Sequence, residues 1–232
     1  MGRIREAYET KFRALLGQVG ARRTDQGLAW LTQKAQRLSA PLQTSPERSL
    51  EHVYQRLSDQ VNAFTSHRPL TETAAGRSGA PRFLCDAGLG GLARWLRAAG
   101  YESHWTADIS DDAAIREAIR LEAVLLTTDS ILMQRRLLRD RIIPSIWVSP
   151  SLTVMEQLAH VLRELKLPLS EPRCMACGGQ LAEVPKEQVK DRIPPRTLRW
   201  LDRYFECQKC AKLFWHGTHW ERIQRQLHQR TT

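Results

Sequence analysis

Apolar residues recur every three to four positions through residues 1–64. Ile4, Tyr8, Phe12, Leu15 and Val19 form one stripe, Leu28, Leu31, Ala35 and Leu38 a second, and Leu50, Val53, Tyr54, Leu57, Val61 and Phe64 a third. That period predicts two or three amphipathic helices, broken near Gly17–Gly27 and at Pro41–Pro46. The stripes carry no chemical motif, so this helical N-terminal extension is expected to pack on the rest of the chain or on a protein partner. Residues 65–81 are polar and rich in small residues, Gly and Pro, and read as a linker.

The period then changes. A short apolar run at 82–86 passes through Gly88, Gly90 and Gly91 into a helix over 89–99. A strand at 102–106, a helix at 111–121 with Ser110 as N-cap, and a strong strand at 123–128 follow, then a helix at 130–138, a strand at 142–148 and a helix at 153–165. Such alternation predicts an α/β domain over 82–170, a parallel sheet covered by helices on both faces. Its strands deliver acids to one edge: Asp86 ends the first strand, Asp108 follows the second, Asp111 and Asp112 open the next helix, and Asp129 ends the third strand. One Asp alone is adequately explained by a helix N-terminus or an N-cap. Several gathered at one edge repel each other unless a cation neutralises them, which points to Mg²⁺ or Mn²⁺ and to phosphodiester chemistry.

Residues 171–232 read as a separate module. Cys174-Met-Ala-Cys177 and Cys207-Gln-Lys-Cys210 make two knuckles, and four thiolates at this spacing suit a closed structural Zn²⁺ site. A redox Cys-x-x-Cys pair is the weaker reading, because there are two copies and no thioredoxin-like context. His216 and His219 are expected to pack or to touch substrate, and Cys85 to be a buried strand residue. Between the knuckles, Lys186, Lys190, Arg192, Arg196, Arg199 and Arg203 interleave with Trp200, Tyr204 and Phe205. That mixture suits phosphate contact with base stacking, or equally a small aromatic core with a solvated basic face. A short basic helix over about Trp220 to His228 closes the module.

Charge sharpens this picture. The net charge of +10 lies in the flanks: residues 1–80 hold twelve Lys and Arg against seven Asp and Glu, residues 173–232 twelve against six, and the centre eleven against twelve. Basic flanks around an acidic centre suit a polyanion that the centre binds through a cation. No apolar run of about 18 residues occurs, which argues against a membrane span. The first twenty residues hold Arg3, Arg5, Glu6, Glu9, Lys11 and Arg13 and no apolar signal core, so the cytoplasm is the expected compartment.

Asp86-x-x-Leu-Gly-x-Leu-Ala-Arg-Trp-Leu-Arg97, Leu125-Leu-Thr-Thr-Asp129, the two knuckles, Lys190-Asp-Arg-Ile-Pro-Pro195 and Trp215-His-Gly-Thr-His-Trp220 together resemble the mut-seven C-terminal RNase domain. That family is a PIN-like nuclease fold carrying a zinc ribbon, and the likeness covers about residues 82–222. It implies metal-dependent RNA cleavage, with Asp86 and Asp129 as strand-end acids, Asp111 or Asp112 as the helix acid and Asp108 as a weaker candidate, and Asp86, Asp112 and Asp129 as the ligands of Mg²⁺ or Mn²⁺. Two positions depart from relatives, Gly91 where lysine is frequent and Thr128 where a basic residue is frequent, which throws the phosphate contacts onto Arg94 and Arg97. A non-catalytic RNA-binding adaptor using the ribbon and N-terminal helices is the alternative. A phospho-accepting receiver ranks last, because Ile146-Trp-Val-Ser149 offers no lysine at a strand tip.

Overall fold

The computed structural model describes residues 2–40, 43–65 and 79–231. Most of the linker, and the side chains of Phe64, His219 and His228, lie outside the described residues. Helices α1 (Gly2–Gln18), α2 (Thr24–Ser39) and α3 (Pro46–Thr65) carry the three stripes, whose described residues face one another except Val19, which follows α1 and is exposed. Their shared cluster includes one residue from far down the chain, Trp147. Tyr8 and Tyr54 meet its indole edge-on, with ring centroids 5.3 and 5.2 Å away. The Tyr8 hydroxyl bonds Glu51 and Ser149, and Arg48 grips Glu156 through two bonds of 2.8 and 2.7 Å. The apolar stripes, expected to pack on the rest of the chain or on a partner, thus pack on each other and against Trp147 of the chain's own sheet.

The Arg48–Glu156 clamp makes acid stability testable. Arg48 hydrogen bonds hold the Glu156 carboxyl down to about 2. A carboxyl lowered in the fold contributes fully above its ordinary range near 4.5 and loses that contribution as pH falls toward 2. Because Arg48 is half exposed, solvent screening limits the clamp to about 0.5–1 kcal/mol. Arg48→Ala is expected to lower Tm at pH 7 and to flatten its decline below pH 4.5, as thermal melts across pH would read.

The central sheet contains β1 (Phe83–Cys85), β2 (Ser103–Trp105), β3 (Val124–Thr127) and β4 (Ser145–Trp147), all parallel, in the order β2-β1-β3-β4. β1, β3 and β4 are buried on both faces, which is why β1 and β3 read as apolar runs, while the edge strand β2 is partly exposed. Phe83, Cys85, Val124 and Leu126 point to the layer of α4 (Gly90–Ala98) and α7 (Val154–Glu164). Leu84 and Leu125 point to the layer of α5 (Asp111–Leu121). Ser110 caps α5 as expected, its Oγ accepting from the Ala113 amide. Cys85 is buried, and burial pushes its thiol up to about 12.

Two elements differ from the pattern. The helix expected over 130–138 is a 3₁₀ turn at Leu132–Gln134 and a short helix α6 (Arg136–Arg139), broken where Arg135 is extended. The basic C-terminal helix expected to belong to the ribbon, observed at Thr218–Thr231, instead puts Ile223 and Leu227 into the sheet core beside α7. The ribbon itself is antiparallel, formed by strands at Leu181–Val184, Tyr204–Cys207 and Leu213–Trp215 around a small core of Val189, Ile193 and Tyr204. Among the described residues, no helix is long and apolar enough to cross a membrane.

Candidate acidic site and cysteine centre

The chain steps from β1 outward to β2, then crosses back over β1 to reach β3. Loops leaving β1 and β3 therefore diverge at their carboxyl ends, which is where open α/β sheets form crevices. Asp86 and Asp129 sit on those two loops. Thr127, wholly buried at the end of β3, ties them together: its hydroxyl donates to Asp86 Oδ2 at 2.6 Å and accepts from the Asp129 amide at 3.0 Å. The Thr128 amide also donates to Asp86 Oδ2 at 2.9 Å, and the Gly88 amide to Oδ1 at 3.1 Å. Burial raises the Asp86 carboxyl above its usual range against those three donors, and the Asp129 carboxylate raises it further. Asp129 uses Oδ1 to accept from the Ile131 and Leu132 amides, which winds the tight turn seen there.

The other acids are arranged more loosely. Asp112 opens α5 in an ion pair with Arg135, while Asp108 and Asp111 are exposed, Asp108 with a left-handed backbone (φ 56°). Among the described residues, the four cysteines make the group of metal-ligating side chains that closes to within 4.8 Å. The expected trio of Asp86, Asp112 and Asp129 does not gather as tightly, and Asp112 is paired with Arg135. Asp86 and Asp129 alone still suit Mg²⁺ or Mn²⁺. Two carboxylates offer about eight acceptor sites, of which amides and Thr127 take five.

Trp105, which sequence reasoning passed over, lies at the lip of this crevice. It is 41% exposed at the end of β2, and its indole donates to the Ala87 carbonyl at 3.0 Å. Its ring rests against the glycine turn so closely that a Cβ on Gly90 would stand 2.7 Å from it. Only the tryptophan's place in the strand register, opposite Cys85, could have signalled this.

Arg94 is exposed on α4, as a phosphate contact requires. Arg97 corrects the sequence reading, because it is buried with its guanidinium donating to the Ser103, Met175 and Ala176 carbonyls. It fastens the first knuckle to the sheet and is not available to substrate. Arg97→Met leaves those carbonyls unpaired and is expected to cost about 3 kcal/mol, a fall in Tm of roughly 6–12 °C, with the RNA Kd unchanged at a temperature where both proteins are folded.

In the ribbon, Sγ of Cys174 lies 3.7 Å from that of Cys210, and Sγ of Cys177 lies 3.4 Å from that of Cys207. Tetrahedral zinc with bonds of about 2.3 Å needs sulfurs about 3.8 Å apart, so the group fits the ion. Gly179 allows the approach, since a Cβ there would stand 2.8 Å from Cys207 Sγ. Burial opposes ionisation of Cys207, but the Cys210 and Lys209 amides and the adjoining sulfurs outweigh it and bring this thiol down to about 7.

The basic segment divides into two groups. Arg192 is tied to Glu206 and the Ala211 carbonyl, Lys186 to Asp202, and Arg203 to Glu183. Lys190, Arg196 and Arg199 stay exposed, next to a Trp200 that is 83% exposed. Tyr204 is core, and His216 is stacked between Phe205 and Trp220.

No curated protein and no solved structure matches the chain significantly. The family model described as Mut7-C RNAse domain matches residues 81–227, which spans the sheet, both cysteine knuckles and most of the C-terminal helix. With well over half of its length inside that match, the chain belongs to the Mut7-C RNase domain family.

Proposed function

We propose that this chain is a ribonuclease that hydrolyses RNA phosphodiester bonds with Mg²⁺ or Mn²⁺ held by Asp86 and Asp129. The observation that carries the reading is the pairing of those two acids through Thr127 at the crevice between β1 and β3, in a chain of an RNase-domain family. When bound, the ion would neutralise the phosphate and make a water more acidic. The chain's own work is to place the acids. Thr127 and the Thr128 and Gly88 amides hold the Asp86 carboxylate in a single orientation, and burial makes its charge costly until a cation arrives. Asp112 flanks the crevice with Arg135, and Asp108 and Asp111 add negative charge at the same edge.

RNA would be held by Arg94 beside the crevice and by Lys190, Arg196, Arg199 and Trp200 on the ribbon, with Arg192 shaping the ribbon behind them. Trp105 would stack on a base next to the scissile phosphate. Stacking on an aromatic is worth about 1–3 kcal/mol per base, so Trp105→Ala is expected to raise the Kd for single-stranded RNA by that amount, and Trp105→Phe to restore much of it. Filter binding with a single-stranded oligonucleotide reads this directly.

Cleavage of a labelled RNA of mixed structure, compared in Mg²⁺, Mn²⁺ and EDTA, tests the function. Cleavage that needs a divalent ion supports the nuclease. Salt-sensitive RNA binding with no cleavage under either ion would favour the adaptor, with Gly91 and Thr128 as the positions where catalytic charge is missing.

A further inference from the structure

A second concave site is lined by none of the crevice acids. A cavity of about 410 Å³ opens between α1, α3, α7 and the segment joining β3 to β4. It runs along β4 from Ser145 to Trp147, whose indole donates to the Thr128 carbonyl, so its inner end reaches the residue before Asp129. The volume falls in the range of small-molecule sites.

Buried Trp147 and Tyr54 line it together with several cationic side chains. Lys11 is the key residue. It is 8% exposed, lines the cavity, and sets its Nζ 5.4 Å from the Trp147 ring centroid. The ion pairs among the described residues give Lys11 no carboxylate partner, and burial alone draws its ammonium down to about 8, so it remains largely charged at neutral pH. The Trp147 ring gives the ammonium a cation-π partner but no counter-charge, so its positive charge stays available to an anion in the cavity. Arg139, Arg141 and Lys166 line the same cavity, against Glu164 as the carboxylate among the lining residues. Arg139 also pairs with Asp140. Burial keeps His160 and Tyr54 uncharged, and the Gln55 amide already occupies His160 Nδ1.

We propose that this cavity binds a small phosphate-bearing anion of nucleoside-monophosphate size, with the phosphate at Lys11 and Arg141. The charge excess selects the phosphate, and the volume admits a ring attached to it.

Isothermal titration of the full-length protein with AMP, inorganic phosphate and adenosine tests the site. AMP is expected to bind and inorganic phosphate to bind more weakly, while adenosine binds at least about tenfold more weakly than AMP. Equal binding of phosphate and AMP would still support an anion site and would name inorganic phosphate as its occupant. Lys11→Met is expected to weaken AMP binding about tenfold or more with little change of ligand-free Tm, because Met keeps the apolar packing on Trp147 and removes the cost of burying a charge along with the cation-π contact. Should that variant fail to fold, Arg141→Gln, on a less buried side chain, decides the matter through a threefold to tenfold loss, about 0.6–1.4 kcal/mol. The proposal is overturned if neither AMP nor phosphate binds, if adenosine binds as well as AMP, or if the folded variants bind AMP as the wild type does.

Discussion

Asp86→Asn is expected to reduce RNA cleavage by at least about a thousandfold while changing stability by no more than about 1 kcal/mol. The two effects separate because Asp86 has two roles. Its Oδ2 accepts from the Thr127 hydroxyl and the Thr128 amide, a demand that the oxygen of Asn can also meet. The Asn amide group then faces the Gly88 amide, donor to donor, and that bond of 3.1 Å is lost. Against this loss, a neutral side chain removes the burial cost that raises the Asp86 carboxyl in the native protein. What Asn cannot supply is the negative charge, so the crevice loses its hold on a divalent ion. Single-turnover cleavage, RNA binding and a thermal melt on the same preparation check the three claims. Intact binding and melting with cleavage lost locates chemistry at Asp86. Joint loss of binding and cleavage means the Gly88–Gly91 turn has collapsed, and cleavage that survives in the variant removes Asp86 from the reaction.

The parallel sheet was legible because strands covered on both faces carry unbroken apolar runs, and because Gly88–Gly91 and Ser110 punctuate the helices between them. The acids were legible for a related reason, since strand ends fall at fixed places in such a pattern. Thr127 was not, because a threonine in a strand is ordinary and only the crossing of β3 beside β1 turns its hydroxyl into the link between two acids. Arg94 and Arg97 looked equivalent in Leu-Ala-Arg-Trp-Leu-Arg. Which of them meets solvent depends on where the first knuckle docks, a contact across more than seventy residues that helical periodicity does not encode. The same holds for Trp147, whose burial depends on helices from the other end of the chain. The helix expected over 130–138 failed locally: Asp129 caps the first turn, but the extended backbone at Arg135 interrupts it before a regular helix forms.

Removing the metal from the ribbon is expected to have the largest effect on stability. Among the described residues, the ribbon core rests on Val189, Ile193 and Tyr204, too small a core for a segment of this length to order by itself. Structural zinc supplies about 10–16 kcal/mol of apparent binding energy in small zinc modules, and here its loss leaves four sulfurs crowded within 4.8 Å with no shared cation. The damage should not stop at the ribbon. Arg97 anchors α4 by donating to the Met175 and Ala176 carbonyls of the first knuckle, so a disordered knuckle leaves a buried guanidinium with one of its three carbonyl partners, Ser103. The helix it belongs to begins at the glycine turn beside Asp86. Cys174→Ala combined with Cys207→Ala, or a strong chelator, is therefore expected to abolish bound zinc and to lower Tm by more than about 10 °C. RNA cleavage should fall as well, and Mg²⁺ or Mn²⁺ should not restore it. Elemental analysis of zinc per chain, paired with thermal melts, separates the cases. A single tightly held zinc whose removal melts the ribbon and loosens the sheet supports a structural centre coupled to the acids through Arg97. A protein that carries no zinc as isolated, or that melts unchanged after the cysteines are replaced, would show that the knuckles hold together without it.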